Sequence, residues 1–260
     1  MGISPAWDAA DAAVVRAIQA RHNGEPILAG LAGAQGSGKS TMAPRVAQRL
    51  EDAGLRAAVL ALDDFYLTRA ERAQMARTVH PLLATRGVPG THDIALLTRT
   101  LDRLLAGDNV QIPRFDKATD DRTADIREIA GPVDVVLLEG WCIGARPQPE
   151  AALADPVNDL ERREDADGRW RTWVNDRLAT DYAALFGRLG LRILLRAPSF
   201  DVVLRWRTEQ EQQLLFGGMK TPAIKRFIDH YQRITRWMLE DESADLVIDL
   251  DPDRTPKVRA

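Results

Sequence analysis

Five short apolar runs recur along the chain: Pro26–Gly33, Ala57–Leu62, Val133–Leu138, Leu191–Leu195 and Ala244–Leu250. They are continuous or nearly so, with little of the two-residue alternation of a half-exposed strand. Such runs predict strands of a parallel sheet covered on both faces. Between them the apolar spacing switches to three and four. Ser4 and Pro5 open a helix in the N-terminal segment 1–24, with Trp7, Val14 and Ile18 on one face. A second helix runs from Ser40 to Leu50. A third carries Ile94, Leu97, Leu101 and Leu104 and takes Thr91 as its expected cap. Trp170, Val174, Leu178, Tyr182, Leu185 and Leu189 predict one long amphipathic helix, and Ile224, Phe227, Ile228, Tyr231, Ile234 and Met238 another. Strands alternating with helices give an α/β, doubly wound, mainly parallel five-stranded sheet in three layers. The polar, proline-rich stretch 145–168 reads as an insertion in a single domain spanning 1–260, because a core strand follows it.

Composition narrows the class. Lys plus Arg is 35 against 38 Asp plus Glu, a net charge of −3, which excludes a strongly basic nucleic-acid binder. The one cysteine, Cys142, excludes an intramolecular disulfide framework and reads as a small buried hydrophobe. No apolar run approaches membrane-spanning length and the first residues lack a basic, then apolar leader, so no membrane association and a cytoplasmic location are expected. No heptad seam is present, so a monomer is expected. Only five of the basic residues are lysines, and one of them, Lys39, sits in the most informative motif.

That motif is Gly33-Ala34-Gln35-Gly36-Ser37-Gly38-Lys39-Ser40, followed by Thr41. It matches G-x-x-x-x-G-K-[ST] between a predicted strand and a predicted helix, the context a phosphate-binding P-loop requires. The glycines let backbone N–H groups turn toward phosphate oxygens, Lys39 supplies a mobile positive charge, and Ser40 offers a hydroxyl to Mg²⁺. ATP with Mg²⁺ is the expected pair. The run from Val133 ends in Glu139-Gly140, a Walker-B-like strand whose Glu139 is a candidate to orient magnesium through water or to help hold the acceptor. The run from Ala57 ends in Asp63-Asp64-Phe65-Tyr66. Adjacent side chains diverge, so one aspartate can accept a proton from an attacking hydroxyl while the other faces away. A guanine-reading N-K-x-D segment and an LSGGQ signature are both missing, which leaves kinases as the main class.

The segments AGAQGSGKST, ALDDFYLTRAE, TRGVPGTHD, IPRFDKATDDR, DVVLLEGWCIGARP, PVNDLE, APSFDVVLRWRTEQE and the late FIDHYQRI together resemble the glycerate kinase family. The wider group takes in uridine kinase, phosphoribulokinase and pantothenate kinase. The resemblance implies a P-loop NTPase fold with a helical lid over 199–220, hinged at Gly217-Gly218, and phosphorylation of D-glycerate at the 3-hydroxyl. It implies Asp63 as base, Lys39 and Ser40 on phosphate and metal, Glu139 beside them, and Arg205 and Arg207 as lid arginines closing on the phosphates. The acceptor loops are 66–92 and 111–128. In them Tyr66, Arg86, His92, Arg114, Lys117 and Arg122 are candidates to hold a small acid, arginine being suited to bidentate carboxylate contact. His92 has a second reading as a helix cap. The rival functions are a kinase for pantothenate or a nucleoside, and a nucleotide switch with no acceptor.

Overall fold

The computed structural model describes residues 4–213, 221–241 and 243–259. Helices are α1 (Pro5–Arg21), α2 (Lys39–Asp52), α3 (Arg69–Thr78), α4 (Ile94–Leu105), α5 (Asp159–Glu164), α6 (Arg169–Arg177), α7 (Ala183–Phe186), α8 (Phe200–Gln213), α9 (Thr221–Asp229) and α10 (Gln232–Glu240). Strands are β1 (Ile27–Gly33), β2 (Ala57–Ala61), β3 (Val110–Asp116), β4 (Asp121–Ile129), β5 (Val135–Gly140), β6 (Leu191–Arg196), β7 (Leu246–Leu250) and β8 (Pro256–Val258).

The main sheet has the order β2-β5-β1-β6-β7-β8. All five expected strands are present and run parallel. The sixth, β8, is an antiparallel edge strand that folds back on β7. The reason for the unbroken apolar runs lies in which core each side chain enters. In β1, Leu28 and Ala32 join one buried cluster, while Ile27, Ala29 and Leu31 join the cluster on the opposite face. In β5, Val136 and Leu138 face the first core, and Val135 and Leu137 the second. Each Val, Leu or Ile among them contributes about 1.5–3 kcal/mol when fully buried, which leaves polar residues to the strand ends.

Three expected elements come out differently. The acceptor segment 111–128 is largely a β-hairpin, β3–β4, forming its own two-stranded sheet. Only Val110 and Ile112 of β3 are buried and β4 has no buried residue, so the hairpin's polar, proline-containing sequence carries little strand pattern. The long helix expected from Trp170 to Leu189 is interrupted by a π turn over Leu178–Tyr182. Three successive apolar spacings of four residues exceed the 3.6 of an α-helix, and the wider turn absorbs the excess. Finally, Asp93 and not Thr91 caps α4, its carboxylate accepting from Leu96 N. The Thr91 hydroxyl instead accepts from Gly87 N and donates to Val88 O, tying the preceding loop. The segment 145–168 is docked against α10: Glu161, fully buried, pairs with Arg233.

Candidate active site

β1, β2 and β5 are neighbours, and their carboxyl ends meet at one edge. The register sets Leu31 of β1 and Ala61 of β2 opposite Glu139 of β5. Chain leaving β1 becomes the P-loop, chain leaving β2 becomes the 3₁₀ turn Leu62–Phe65, and Glu139 lies between them. This is where an open α/β sheet presents its ligand crevice.

The P-loop has the geometry of an anion cradle. Gly36 and Gly38 have φ of 79° and 96°, conformations that glycine adopts without the cost of a Cβ. Gly38 occupies the N-cap of α2 with no side-chain cap, and no acidic residue stands in the first turn. The helix therefore offers unsatisfied N–H groups and its positive dipole end to an anion. The Ser37 hydroxyl is buried and finds no partner among the described residues, another group available to a bound oxygen. Behind the loop, Arg254 donates to Gly36 O at 2.8 Å and stacks on Trp206, while Trp206 itself packs against Gly36. Arg254 follows β7 in the chain, and its side chain braces the P-loop.

Ser40 Oγ donates to Glu139 Oε1 at 2.8 Å. A hydroxyl that gives its proton to a carboxylate keeps its lone pairs for a cation. Two oxygen donors of this kind fit a magnesium ion, which prefers hard oxygen ligands and keeps several waters. Burial pushes the Glu139 carboxyl up, against the opposing charge of Lys39.

A narrow cleft of about 40 Å³ opens beside the loop, lined by Gln35, Lys39, Asp63, Tyr66, Arg86 and Lys117, and closed by Trp141, Arg207, Phe227 and Tyr231. Its lining thus includes four cations and one carboxylate. Asp63 Oδ1 accepts from the Tyr66 hydroxyl at 2.8 Å, and Oδ2 from Lys117 Nζ at 2.6 Å. Burial pushes the Asp63 carboxyl up, but Lys117 and Lys39 beside it outweigh that and hold it well below the usual carboxylate range. Asp64 faces elsewhere, toward Phe115 and Arg127, and burial raises its carboxyl. Tyr66 is fixed from behind: its ring stacks on His92 at 4.6 Å, and His92 Nδ1 lies 2.6 Å from the Tyr182 hydroxyl of the π turn. Burial pushes the His92 imidazole down to about 3, so the ring is neutral. His92 thus neither caps α4 nor lines the cleft; it backs the tyrosine that touches Asp63.

The loop after Arg86 is held by two aromatic donors from the cleft wall. Tyr231 donates to Arg86 O at 3.0 Å and Trp141 Nε1 to Gly87 O at 2.8 Å. Gly87 has φ of 126°, and a Cβ there would lie 2.6 Å from Tyr231 Cε1 and closer still to its hydroxyl. Gly87→Ala should therefore cost about 1–3 kcal/mol from overpacking alone, read as a lower urea midpoint. An unchanged midpoint would show that the loop yields freely. Sequence periodicity reads Tyr231 as one more core residue; its hydroxyl carries no periodic signal.

The remaining candidates are distributed as follows. Arg86 pairs with Asp120 of the hairpin turn and reaches toward Lys117 O. Arg122 donates to Tyr66 O and pairs with Asp93, supporting the loop without lining the cleft. Arg114 is exposed on β3. Arg207 lines the cleft over the Phe227 ring, whereas Arg205 donates to Pro252 O. α8 is rooted in the core through Val203 and Trp206, so the expected lid starts from a fixed base. The Gly217-Gly218 hinge lies outside the described residues.

A family profile described as Methylmalonyl Co-A mutase-associated GTPase MeaB matches residues 4–66, the part holding α1, the P-loop and Asp63. Longer matches are to kinases. The chain is 33% identical over 227 residues to the Uncharacterized kinase mug58 of Schizosaccharomyces pombe, covering 82% of this chain and 81% of that protein. It is 27% identical over 257 residues to the chloroplastic D-glycerate 3-kinase of Arabidopsis thaliana, covering 89% of this chain and 54% of the plant protein. Among solved structures, D-glycerate 3-kinase from Cryptococcus neoformans superposes with a TM-score of 0.82 at 25% identity, over 99% of this chain and 100% of that one.

Proposed function

The chain belongs to the D-glycerate 3-kinase-like family of P-loop kinases, and from that premise we propose that it transfers the γ-phosphoryl group of ATP to the 3-hydroxyl of D-glycerate. It is a phosphotransferase with an alcohol group as acceptor, as its kinase relatives are. The observation that carries the finer reading is the placement of Asp63. It stands in a cleft beside P-loop Lys39, hydrogen-bonded by Tyr66 and surrounded by cations. A hydroxyl entering there meets a base on one side and the phosphate cradle on the other. Arg86 and Lys117 supply charge for the carboxylate of a small acid. Arg207, across the cleft, is placed to neutralise charge developing on the transferred group. Ser40 and Glu139 would hold magnesium, which supplies charge neutralisation on the β- and γ-phosphates.

The test is ADP release with ATP and Mg²⁺ against D-glycerate, L-glycerate, pantothenate and uridine. D-Glycerate should raise the rate well above the acceptor-free background, with 3-phosphoglycerate identified by ³¹P NMR. No rise with D-glycerate beside a clear rise with another acceptor would overturn the assignment.

A further inference from the structure

We propose that Lys117 is a latch on Asp63 and that the acceptor's own carboxylate releases it, so that the base is exposed only when an acid occupies the cleft. The proposal rests on the acid-acceptor reading above and concerns how the enzyme refuses water and neutral alcohols.

Both oxygens of Asp63 are engaged. Oδ1 holds the Tyr66 hydroxyl and Oδ2 holds the Lys117 ammonium at 2.6 Å. Each oxygen keeps a lone pair, but the Lys117 ammonium stands on Oδ2 at 2.6 Å, on the cleft side of the carboxylate, and competes with an incoming hydroxyl for that oxygen. The Tyr66 contact is built in, because the ring is buried and backed by His92. The Lys117 contact is made from outside: its side chain is 57% exposed, on a four-carbon stem. The turn that carries it is internally hydrogen-bonded. Asp116 accepts from Ala118 N, Thr119 N and the Thr119 hydroxyl, so release needs only a side-chain rotation and no movement of the hairpin.

Arg86 makes that rotation selective. It is tied to the same turn through Asp120 and lines the same cleft as Lys117. A carboxylate placed between these two cations gives Lys117 a second anion to bind, and the ammonium can leave Asp63 without being stranded unpaired. A neutral alcohol offers no such exchange. Once freed, Oδ2 takes the proton of the acceptor hydroxyl as the new oxygen–phosphorus bond forms and the bond from the γ-phosphorus to the β-phosphate bridging oxygen breaks, releasing ADP. With the latch closed, Asp63 is equally withheld from water, which limits wasteful hydrolysis.

The test uses acceptors that divide the two chemical parts. In the wild-type protein, glycerol should be a poor acceptor. Adding propionate, a carboxylate with no hydroxyl, should raise ADP release with glycerol several-fold and saturably. In Lys117→Met the glycerol rate should be high without propionate and indifferent to it, and acceptor-free ATP hydrolysis should rise. The KM for D-glycerate should rise about 10- to 100-fold, the size of one hydrogen bond to a charged group. Lys117→Arg should restore the preference for D-glycerate over glycerol. Propionate that leaves the wild-type glycerol rate unchanged or lowers it overturns the latch without reference to any variant. Glycerol and D-glycerate rates falling together in Lys117→Met overturn it as well, because that is the mark of a purely structural lysine. A wild-type protein with no D-glycerate turnover overturns the acceptor reading and the latch with it, a result distinct from normal turnover without propionate activation.

Discussion

Lys39→Ala should lower kcat by about 10³- to 10⁵-fold, the range set by a cation that stabilises a transferring phosphoryl group. Lys39 begins α2 and lines the cleft that holds Asp63. On the proposed function its ammonium would follow the γ-phosphoryl group from ADP toward the acceptor. The backbone N–H groups of the P-loop remain in the variant, so nucleotide affinity should fall much less than turnover. Steady-state ADP release and a nucleotide titration, taken together, separate the two effects. A wild-type kcat would remove the P-loop from the chemistry.

Asp63→Asn should cost about 10²- to 10⁴-fold in kcat, the usual contribution of a positioned general base. The amide keeps the side-chain shape and can still accept from Tyr66, but it does not take up a proton at working pH. Nucleotide affinity should be unchanged. Asp64→Asn should cost far less, because Asp64 faces Phe115 and Arg127. A larger loss at Asp64 would identify it as the base. The pH dependence follows from the sign of the Asp63 shift. Burial raises this carboxyl, and Lys117 and Lys39 lower it further than burial raises it. A base with a lowered pKa stays ionised above that value and is lost only as the pH falls through it. Wild-type kcat/KM should accordingly hold through the mildly acidic range, and the asparagine variant should lack the acid limb altogether.

Much of the sheet is legible in the sequence because burial on two faces leaves an unmistakable trace. Ile27–Gly33 and Val135–Gly140 send alternate residues into opposite cores, so every position is apolar until the strand ends in a functional residue. The P-loop is legible for a different reason: phosphate approach demands glycine at fixed spacing. The hairpin is not legible, since β4 carries charged and polar residues with no buried row, and Pro113 breaks the strand signal in β3. Nor are the supporting contacts. Tyr182 belongs to an apolar stripe, and only the π turn sets its hydroxyl on Gly90 N and beside His92. Tyr231 and Trp141 bury their rings among core residues while their polar atoms hold the Arg86–Gly87 backbone. Pattern reports which side is buried; it does not report what the polar tip of an aromatic residue touches.

The β3–β4 hairpin shares no backbone ladder with the nucleotide-bearing sheet. It is fastened by side chains: Arg127 to Val59 O, Arg122 to Tyr66 O, Arg72 and Arg86 to Asp120, and Lys117 to Asp63. On the proposed function, the acceptor contacts from the hairpin and the phosphate contacts from the main sheet would come from separate backbone ladders. A different hairpin that preserves those anchors and the buried Val110 and Ile112 should be exchangeable into this scaffold while the strands that carry Lys39, Asp63 and Glu139 keep their register. Such an exchange would change which acceptor is held and leave the P-loop itself unaltered.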